Sequence, residues 1–170
     1  MDLKQWIRDV PDYPKPGVLF RDLTPLMAHP PALKYVTDKI AEHLRHVGAE
    51  AICAIDARGF IFAAPVAVQM GLPLIPVRKA GKLPPKVIGA DYLLEYGEAR
   101  IEARADALRQ GQRVGIVDDL LATGGTAAAA GKLCEMLGAE IVTYSFVVEL
   151  TFLNGRANLG GRDVYRLVEY

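Results

Sequence analysis

The strongest constraint on this chain is the order in which short apolar runs and helical stretches follow one another. Ala51–Ile55, Leu74–Val77, Arg113–Val117 and Glu140–Val148 are short and apolar, with polar or glycine residues around them, as buried strands are. Helical patterns lie between them. Leu33, Val36, Ile40, Leu44 and Val47 recur every three or four residues and stop at Gly48. Gly59–Met70 is apolar nearly all round and stops at Gly71, and the alanine-rich Thr126–Leu137 stops at Gly138. A last strand is predicted at Val164–Val168. Strand and helix alternating at this spacing require right-handed crossovers, hence an α/β fold with a mostly parallel twisted sheet flanked by helices. No repeat, low-complexity tract or linker divides the 170 residues, so one domain spanning 1–170 is expected.

Other stretches are less regular. Leu3–Val10 predicts a short amphipathic helix stopped by Pro11, and Asp12–Thr24 a proline-punctuated loop. Lys79–Ala90 has no periodicity, while Tyr92–Glu95 and Arg100–Arg104 flank Gly97 as a β-hairpin would.

Charge and composition narrow the function. The formal net charge is zero, so a nucleic-acid partner, which needs an excess of Lys and Arg, is not expected. No apolar run approaches the roughly 20 residues of a membrane span, and MDLKQWIRDV lacks a signal peptide's apolar core. A cytoplasmic protein with no membrane partner is expected. Cys53 and Cys134 lie far apart and form no metal-type pair, which suits small buried hydrophobes in a reducing compartment. His29, His43 and His46 are scattered and are expected on the surface.

Open sheets of this type take ligands at the carboxyl ends of their strands. That selects the loops Asp56–Gly59, Arg78–Gly81 and Asp118–Gly125. In the last of these, Ala122, Thr123, Gly124, Gly125 and Thr126 spell ATGGT between a strand and a helix. Two glycines let successive N–H groups converge, the helix dipole adds positive potential, and two hydroxyls add donors; together they suit a phosphate. Taken alone, the same residues suit an ordinary turn with an N-cap threonine equally well. The loop is no Walker A motif, because Gly131-Lys132 is followed by Leu133, and no G-x-G-x-x-G is present. Asp118 and Asp119 introduce the loop, although carboxylates repel phosphate. They would suit a vicinal ribose diol, as acids do in dinucleotide folds; a solvated strand edge or a helix cap is the plainer alternative. Together, acids and loop describe a sugar phosphate.

The stretch IVDDLLATGGT resembles the phosphoribosyl-pyrophosphate signature of the type I phosphoribosyltransferases. Five further segments, in order, resemble the adenine phosphoribosyltransferase family within them. YPKPGVLFRDLTP at Tyr13–Pro25 is similar to its N-terminal hood, and DARGF at Asp56–Phe60 to its first phosphate loop. VRKAGKLP at Val77–Pro84 is similar to its second basic loop, LEYG at Leu94–Gly97 to its mobile loop, and VELTFLNG at Val148–Gly155 to the segment closing its base pocket. The resemblance implies the type I fold with a hood over about residues 1–30 and a mobile β-hairpin lid over about 79–104. It implies transfer of the phosphoribosyl group of 5-phosphoribosyl 1-pyrophosphate to N9 of adenine, giving AMP and pyrophosphate, a purine salvage reaction.

The resemblance also assigns roles. Arg58 would bind pyrophosphate, as a guanidinium forks onto phosphate oxygens, beside a non-proline cis peptide between Asp56 and Ala57. Arg78, Lys79 and Lys82 would form the second basic cluster; Ala80 departs from the family, where a basic residue or proline is common. Asp118 and Asp119 would hold the ribose and take part in catalysis with Arg58. Glu95 and Tyr96 would sit on the lid, with Glu95 a candidate for the adenine N7 proton or a lid contact. Phe20 and Leu150 would cover the two faces of adenine, with Arg21 beside it and the backbone near Leu19 reading its edge. Mg²⁺ would arrive with the pyrophosphate and need no dedicated ligand set. A homodimer is implied, and the apolar content of Phe60–Val68 permits it. A transferase for another base, a regulator built on the same fold and a non-catalytic nucleotide-binding protein are disfavoured by the hood and LEYG segments, by the absence of a DNA-binding segment, and by the intact acids.

Overall fold

The computed structural model of the chain describes residues 1–94 and 97–170, with the side chains of 93, 94 and 97 left aside. The chain starts with a 3-10 turn, Leu3–Trp6, whose first amide is capped by Asp2. Strand β1 (Arg8–Pro11) then pairs antiparallel with β2 (Leu19–Asp22). This corrects both the expected helix at Leu3–Val10 and the expected loop at Asp12–Thr24. The hairpin is closed by Tyr13 N to Val18 O at 3.3 Å and by Gly17 N to Asp12 Oδ1 at 2.7 Å. Four-residue strands with exposed faces carry too little alternation to be distinguished from loop.

A short helix, α1 (Thr24–Met27), leads into α2 (Pro30–His46). Pro30 starts α2 where a missing N–H costs nothing, and His29 accepts the Ala32 N–H on its ring nitrogen. Ala32, Val36, Ile40 and Leu44 form its buried stripe. Strand β3 (Ala51–Ile55) follows with all five residues buried, as the central strand of a sheet covered on both faces requires. Helix α3 (Gly59–Met70) ends at Gly71, whose φ of 65° supplies the left-handed C-cap. Strands β4 (Leu74–Lys79), β5 (Val87–Leu94), β6 (Gly97–Arg104) and β7 (Arg113–Leu121) precede α4 (Gly125–Met136), and β8 (Glu140–Glu149) comes next. Two 3-10 turns, Thr151–Leu153 and Gly155–Leu159, connect to β9 (Val164–Glu169).

Among the described residues one sheet has seven strands in the order β5-β6-β4-β3-β7-β8-β9. β4, β3, β7, β8 and β9 run parallel, while β6 is antiparallel to both β4 and β5 at one edge. Residues of β3 alternate between two cores: Ala51, Cys53 and Ile55 face α4 and the β5–β6 hairpin, whereas Ile52 and Ala54 face α2 and α3. The mostly parallel sheet flanked by helices is as the sequence predicts.

Two further differences concern function. β7 does not stop at Val117 but runs on to Leu121, carrying both acids inside the strand, with Asp118 opposite Phe146 of β8. Two of the histidines are not surface groups. His29 stacks on Trp6 at 3.5 Å between ring centroids. His43, with its side chain 15% exposed, stacks on Tyr165 and bonds Thr143 Oγ1 at 3.1 Å and Asp163 Oδ2 at 2.9 Å.

Candidate active site

β3, β4 and β7 point their carboxyl ends to one side of the sheet, and the loops after them surround a cavity of ≈ 390 Å³. Asp56, Ala57 and Arg58 come from the end of β3, Lys79 from β4, Tyr92 from β5, and Asp118, Asp119 and the whole of Ala122–Thr126 from β7 and its loop.

The cradle is the entrance to α4. Gly124 caps the helix with φ 84°, and the first intrahelical bond closes from Ala128 N to Gly124 O at 2.8 Å. The amides of Gly125, Thr126 and Ala127 therefore belong to the first turn and have no helical acceptor. They and the helix dipole give this wall positive potential for an anion. The loop also touches the chain after β8. A Cβ on Gly124 would stand 2.4 Å from the Gly155 carbonyl oxygen, and one on Gly155 would stand 2.2 Å from the Ala122 oxygen. Both neighbours are backbone, so only glycine fits at either position.

The acids occupy the floor. Asp119 is 4% exposed, and its Oδ2 lies 2.7 Å from Arg58 Nε, yet that oxygen accepts no hydrogen bond because the N–H is not aimed at it. Asp118 Oδ1 accepts the Asp119 amide at 2.8 Å. Burial pushes the Asp118 carboxyl well above the usual carboxylate range, and the neighbouring charge of Asp119 pushes the same way. Gly59 makes this packing possible, since a Cβ there would meet Asp118 Oδ1 at 2.8 Å and the Val117 oxygen at 3.0 Å. The Asp56–Ala57 peptide beside it is cis.

Around the floor stand cations. Arg58 is half exposed, with its guanidinium carbon 5.6 Å from the centre of the Phe20 ring. Arg78 does not line the cavity; its Nε bonds Asp56 Oδ2 at 3.1 Å, and another guanidinium nitrogen donates to the Lys82 carbonyl at 3.1 Å. Both Arg78 and Lys79 are the last residues of β4 itself rather than of a loop after it. Lys82 is exposed and lines neither cavity.

A second cavity of ≈ 870 Å³ adjoins the first and shares Tyr92, Ala122, Thr123, Gly125 and Thr126 with it. Its other walls are Pro14, Lys15, Gly17, Val18, Leu19 and Arg21 of the N-terminal hairpin, and Leu150, Phe152 and Leu153 after β8. Leu19, Phe152 and Leu153 are large apolar side chains left exposed there, at 45%, 69% and 39%. Arg21 is held by an ion pair to Asp9 and by the Tyr170 ring 3.7 Å beneath its guanidinium. Phe20 points to the opposite face of β2 from Leu19 and Arg21, packs edge-on against Tyr13 at 5.2 Å, and does not line this cavity. Glu95 and Tyr96 lie outside the described residues.

The structure thus gathers Arg58, Lys79, Asp118, Asp119 and Ala122–Thr126 at one cavity, and Leu19, Arg21 and Leu150 at its neighbour. Sequence reasoning does not single out Tyr92, Phe152 or Leu153, and it names Asp56 only as the start of the first phosphate loop and of its cis peptide. Phe152 and Leu153 lie within the quoted VELTFLNG segment, where two apolar residues in a glycine-bearing turn are a signal. Tyr92 carries none, because its importance comes from standing where two cavities meet.

The parallel strands thus bring an acid pair and the N-terminus of α4 together at one carboxyl-end cavity. Comparisons with known proteins give the class. Residues 23–152 match the phosphoribosyl transferase domain. The adenine phosphoribosyltransferase of Gloeobacter violaceus is 50% identical over 171 residues, covering 100% of both chains. That of Novosphingobium aromaticivorans is 54% identical over 160 residues, covering 94% of this chain and 90% of the relative. The crystal structure of the adenine phosphoribosyltransferase from Thermoanaerobacter pseudethanolicus superposes with a TM-score of 0.96 at 45% identity, covering 99% of this chain and 98% of the other. The Saccharomyces cerevisiae enzyme, complexed with D-2,5-dideoxy-2,5-imino-altritol 1,6-bisphosphate and adenine, gives 0.93 at 39% identity, covering 98% and 96%. The chain belongs to the adenine phosphoribosyltransferase family of phosphoribosyltransferases.

Proposed function

We propose that this protein transfers the phosphoribosyl group of 5-phosphoribosyl 1-pyrophosphate to N9 of adenine, releasing pyrophosphate and forming AMP in purine salvage. The observation that carries the reading is that Asp118 and Asp119 line the same cavity as the cradle Ala122–Thr126, with Arg58 paired to Asp119 beside them. A ribose suits the acids, since each hydroxyl of its diol donates to a carboxylate, while the 5-phosphate takes the amides of the first turn of α4. Relatives crystallised with adenine and with 9-deazaadenine support a purine in the adjoining apolar cavity.

In this reading N9 attacks the anomeric carbon as the bond from that carbon to pyrophosphate breaks. Negative charge grows on the leaving oxygens, and Arg58 and Lys79 neutralise it, with Lys82 and Arg78 on the same basic segment. Asp118 and Asp119 fix the ribose and lie beside the anomeric carbon as it gains positive character. Leu150, Phe152 and the hood residues Leu19 and Arg21 hold the base in line, which supplies rate by orientation. Glu95 takes the N7 proton, and Tyr96 follows it in the LEYG segment. Among the described residues no three metal-ligating side chains are gathered. A Mg²⁺ would arrive on the pyrophosphate, with Asp118 and Asp119 facing its water shell; when bound, the ion would supply charge neutralisation of the leaving group.

The same reading makes the protein a cytoplasmic homodimer. Cys53 and Cys134 are both buried, with their sulfurs 3.3 Å apart. Ile61 and Val68, 42% and 84% exposed on the outer face of α3, offer an apolar surface to a second copy. A crystal grown with AMP tests the site: the ribose hydroxyls are expected on Asp118 and Asp119, and the phosphate on Thr123–Thr126. A phosphate bound elsewhere contradicts the assignment.

A further inference from the structure

The Thr123–Gly124 peptide is part of the cradle, and the side chain that binds its carbonyl lies outside both cavities. Asn158 Nδ2 is 2.7 Å from the Thr123 carbonyl oxygen. The amide nitrogen must be the partner, because a carbonyl oxygen only accepts. Asn158 lines neither cavity, so the Thr123 carbonyl is drawn to the outer side of the loop. In a planar trans peptide C=O and N–H point in opposite directions. The Gly124 N–H is therefore turned to the cavity side, toward the wall that Thr123 and Gly124 form.

Asn158 is held firmly enough to do this. It sits in the turn Gly155–Leu159, between Leu159, 1% exposed, and Gly155, packed against the Ala122 carbonyl. In the same turn Arg156 grips the buried Glu149 at the end of β8 through two bonds of 2.6 Å, and Arg166 Nε approaches the same carboxylate at 3.0 Å. A bidentate guanidinium–carboxylate pair fixes geometry as well as distance. The turn is anchored to the sheet, and the Asn158 amide projects from it onto the loop. Gly124, at φ 84°, lacks the side chain that otherwise restricts its peptide, so an external hold has a conformational choice to make.

We propose that Asn158 is a positioning residue for the phosphate cradle: by holding the Thr123 carbonyl outward it aims the Gly124 amide at the 5-phosphate. The inference rests on the phosphate reading of the cradle. It is distinct from the assignment of any substrate contact, since Asn158 lines neither cavity.

The test compares the intact protein with Asn158→Leu, which keeps the side-chain volume without a donor, and Asn158→Gln, which keeps the donor on a longer arm. Calorimetry measures binding of ribose 5-phosphate and, separately, of pyrophosphate. The expected result for Asn158→Leu is ribose 5-phosphate affinity weakened about five- to tenfold, the scale of one hydrogen bond. Pyrophosphate affinity and the KM for adenine stay within about twofold, and Asn158→Gln recovers part of the loss. Because the side chain is exposed, the melting temperature is expected to hold. Unchanged ribose 5-phosphate affinity in Asn158→Leu overturns the proposal, as does a parallel loss for both ligands with a lowered melting temperature. A wild-type protein that binds ribose 5-phosphate but makes no AMP overturns the transfer reading alone, and the effect of Asn158 is still read from binding.

Discussion

Arg58 Nε stands 2.7 Å from Asp119 Oδ2, and the N–H does not point at it. A buried carboxylate is stabilised by donors aimed at it, because a charge removed from water must be compensated. The arrangement makes sense if a ligand brings the donors and if Arg58, half exposed, turns to meet a second anion.

Asp119→Asn is therefore expected to divide function from stability. Loss of hydrogen bonds to a charged acceptor is worth about 1.5–3 kcal/mol, so kcat/KM for phosphoribosyl pyrophosphate falls about 10- to 100-fold. The melting temperature is expected to stay or rise, because the variant relieves two adjacent carboxylates buried on one strand. Steady-state kinetics beside calorimetric melting checks both halves; a fall in both together contradicts this account of Asp119.

The raised pKa of Asp118 has a pH signature. Burial, then the charge of Asp119, raises it above 3.8, so the folded state holds its proton over a range in which the unfolded chain has lost it. This favourable linkage is complete below 3.8 and is lost as pH rises through the higher folded value. Asp118→Asn removes it. The melting temperature of the variant minus that of the wild type is expected to grow as pH rises from 3.8 through the higher folded value and to level off above it, measured at fixed ionic strength. A difference that shrinks over that range contradicts the sign.

Phe152 is 69% exposed at the apolar cavity, so its ring contributes little to the fold of the empty protein. Phe152→Ala is expected to raise the KM for adenine about tenfold, the order of one lost aromatic contact. The KM for phosphoribosyl pyrophosphate and the melting temperature stay close to wild type.

Val68, 84% exposed on α3, tests the dimer. Val68→Arg places a charge where a second copy would bury the side chain, while leaving the monomer's core untouched. Sedimentation is expected to show dimer for the wild type and monomer for the variant. Wild-type monomer at micromolar concentration contradicts the proposed interface.

How far the sequence goes depends on whether the signal is contiguous. Ala51–Ile55 and Gly59–Met70 coincide with β3 and α3 residue for residue, because burial on all sides gives an unbroken apolar run and Gly71 ends it. β7 is different: polar residues at 118 and 119 imitate a strand end, while backbone pairing with β8 continues to Leu121. The cradle is legible because its five residues are consecutive. Tyr92 and Asn158 are not, since each matters through a partner brought close only by the fold. His43 illustrates the same limit, as its partners Thr143 and Asp163 lie 100 and 120 positions away. Phe20 shows a subtler one: its neighbours Leu19 and Arg21 line the larger cavity and it does not, because successive residues of a strand face opposite ways.

The central claim is tested most directly by product formation. The protein is incubated with phosphoribosyl pyrophosphate, Mg²⁺ and, separately, adenine, hypoxanthine, guanine, xanthine or orotate, and the nucleotide is identified by mass. The account predicts AMP and pyrophosphate in equal amounts from adenine and no nucleotide from the other four. A different nucleotide contradicts the base cavity built around Leu19, Arg21, Leu150 and Phe152. No nucleotide from any base contradicts the transfer itself.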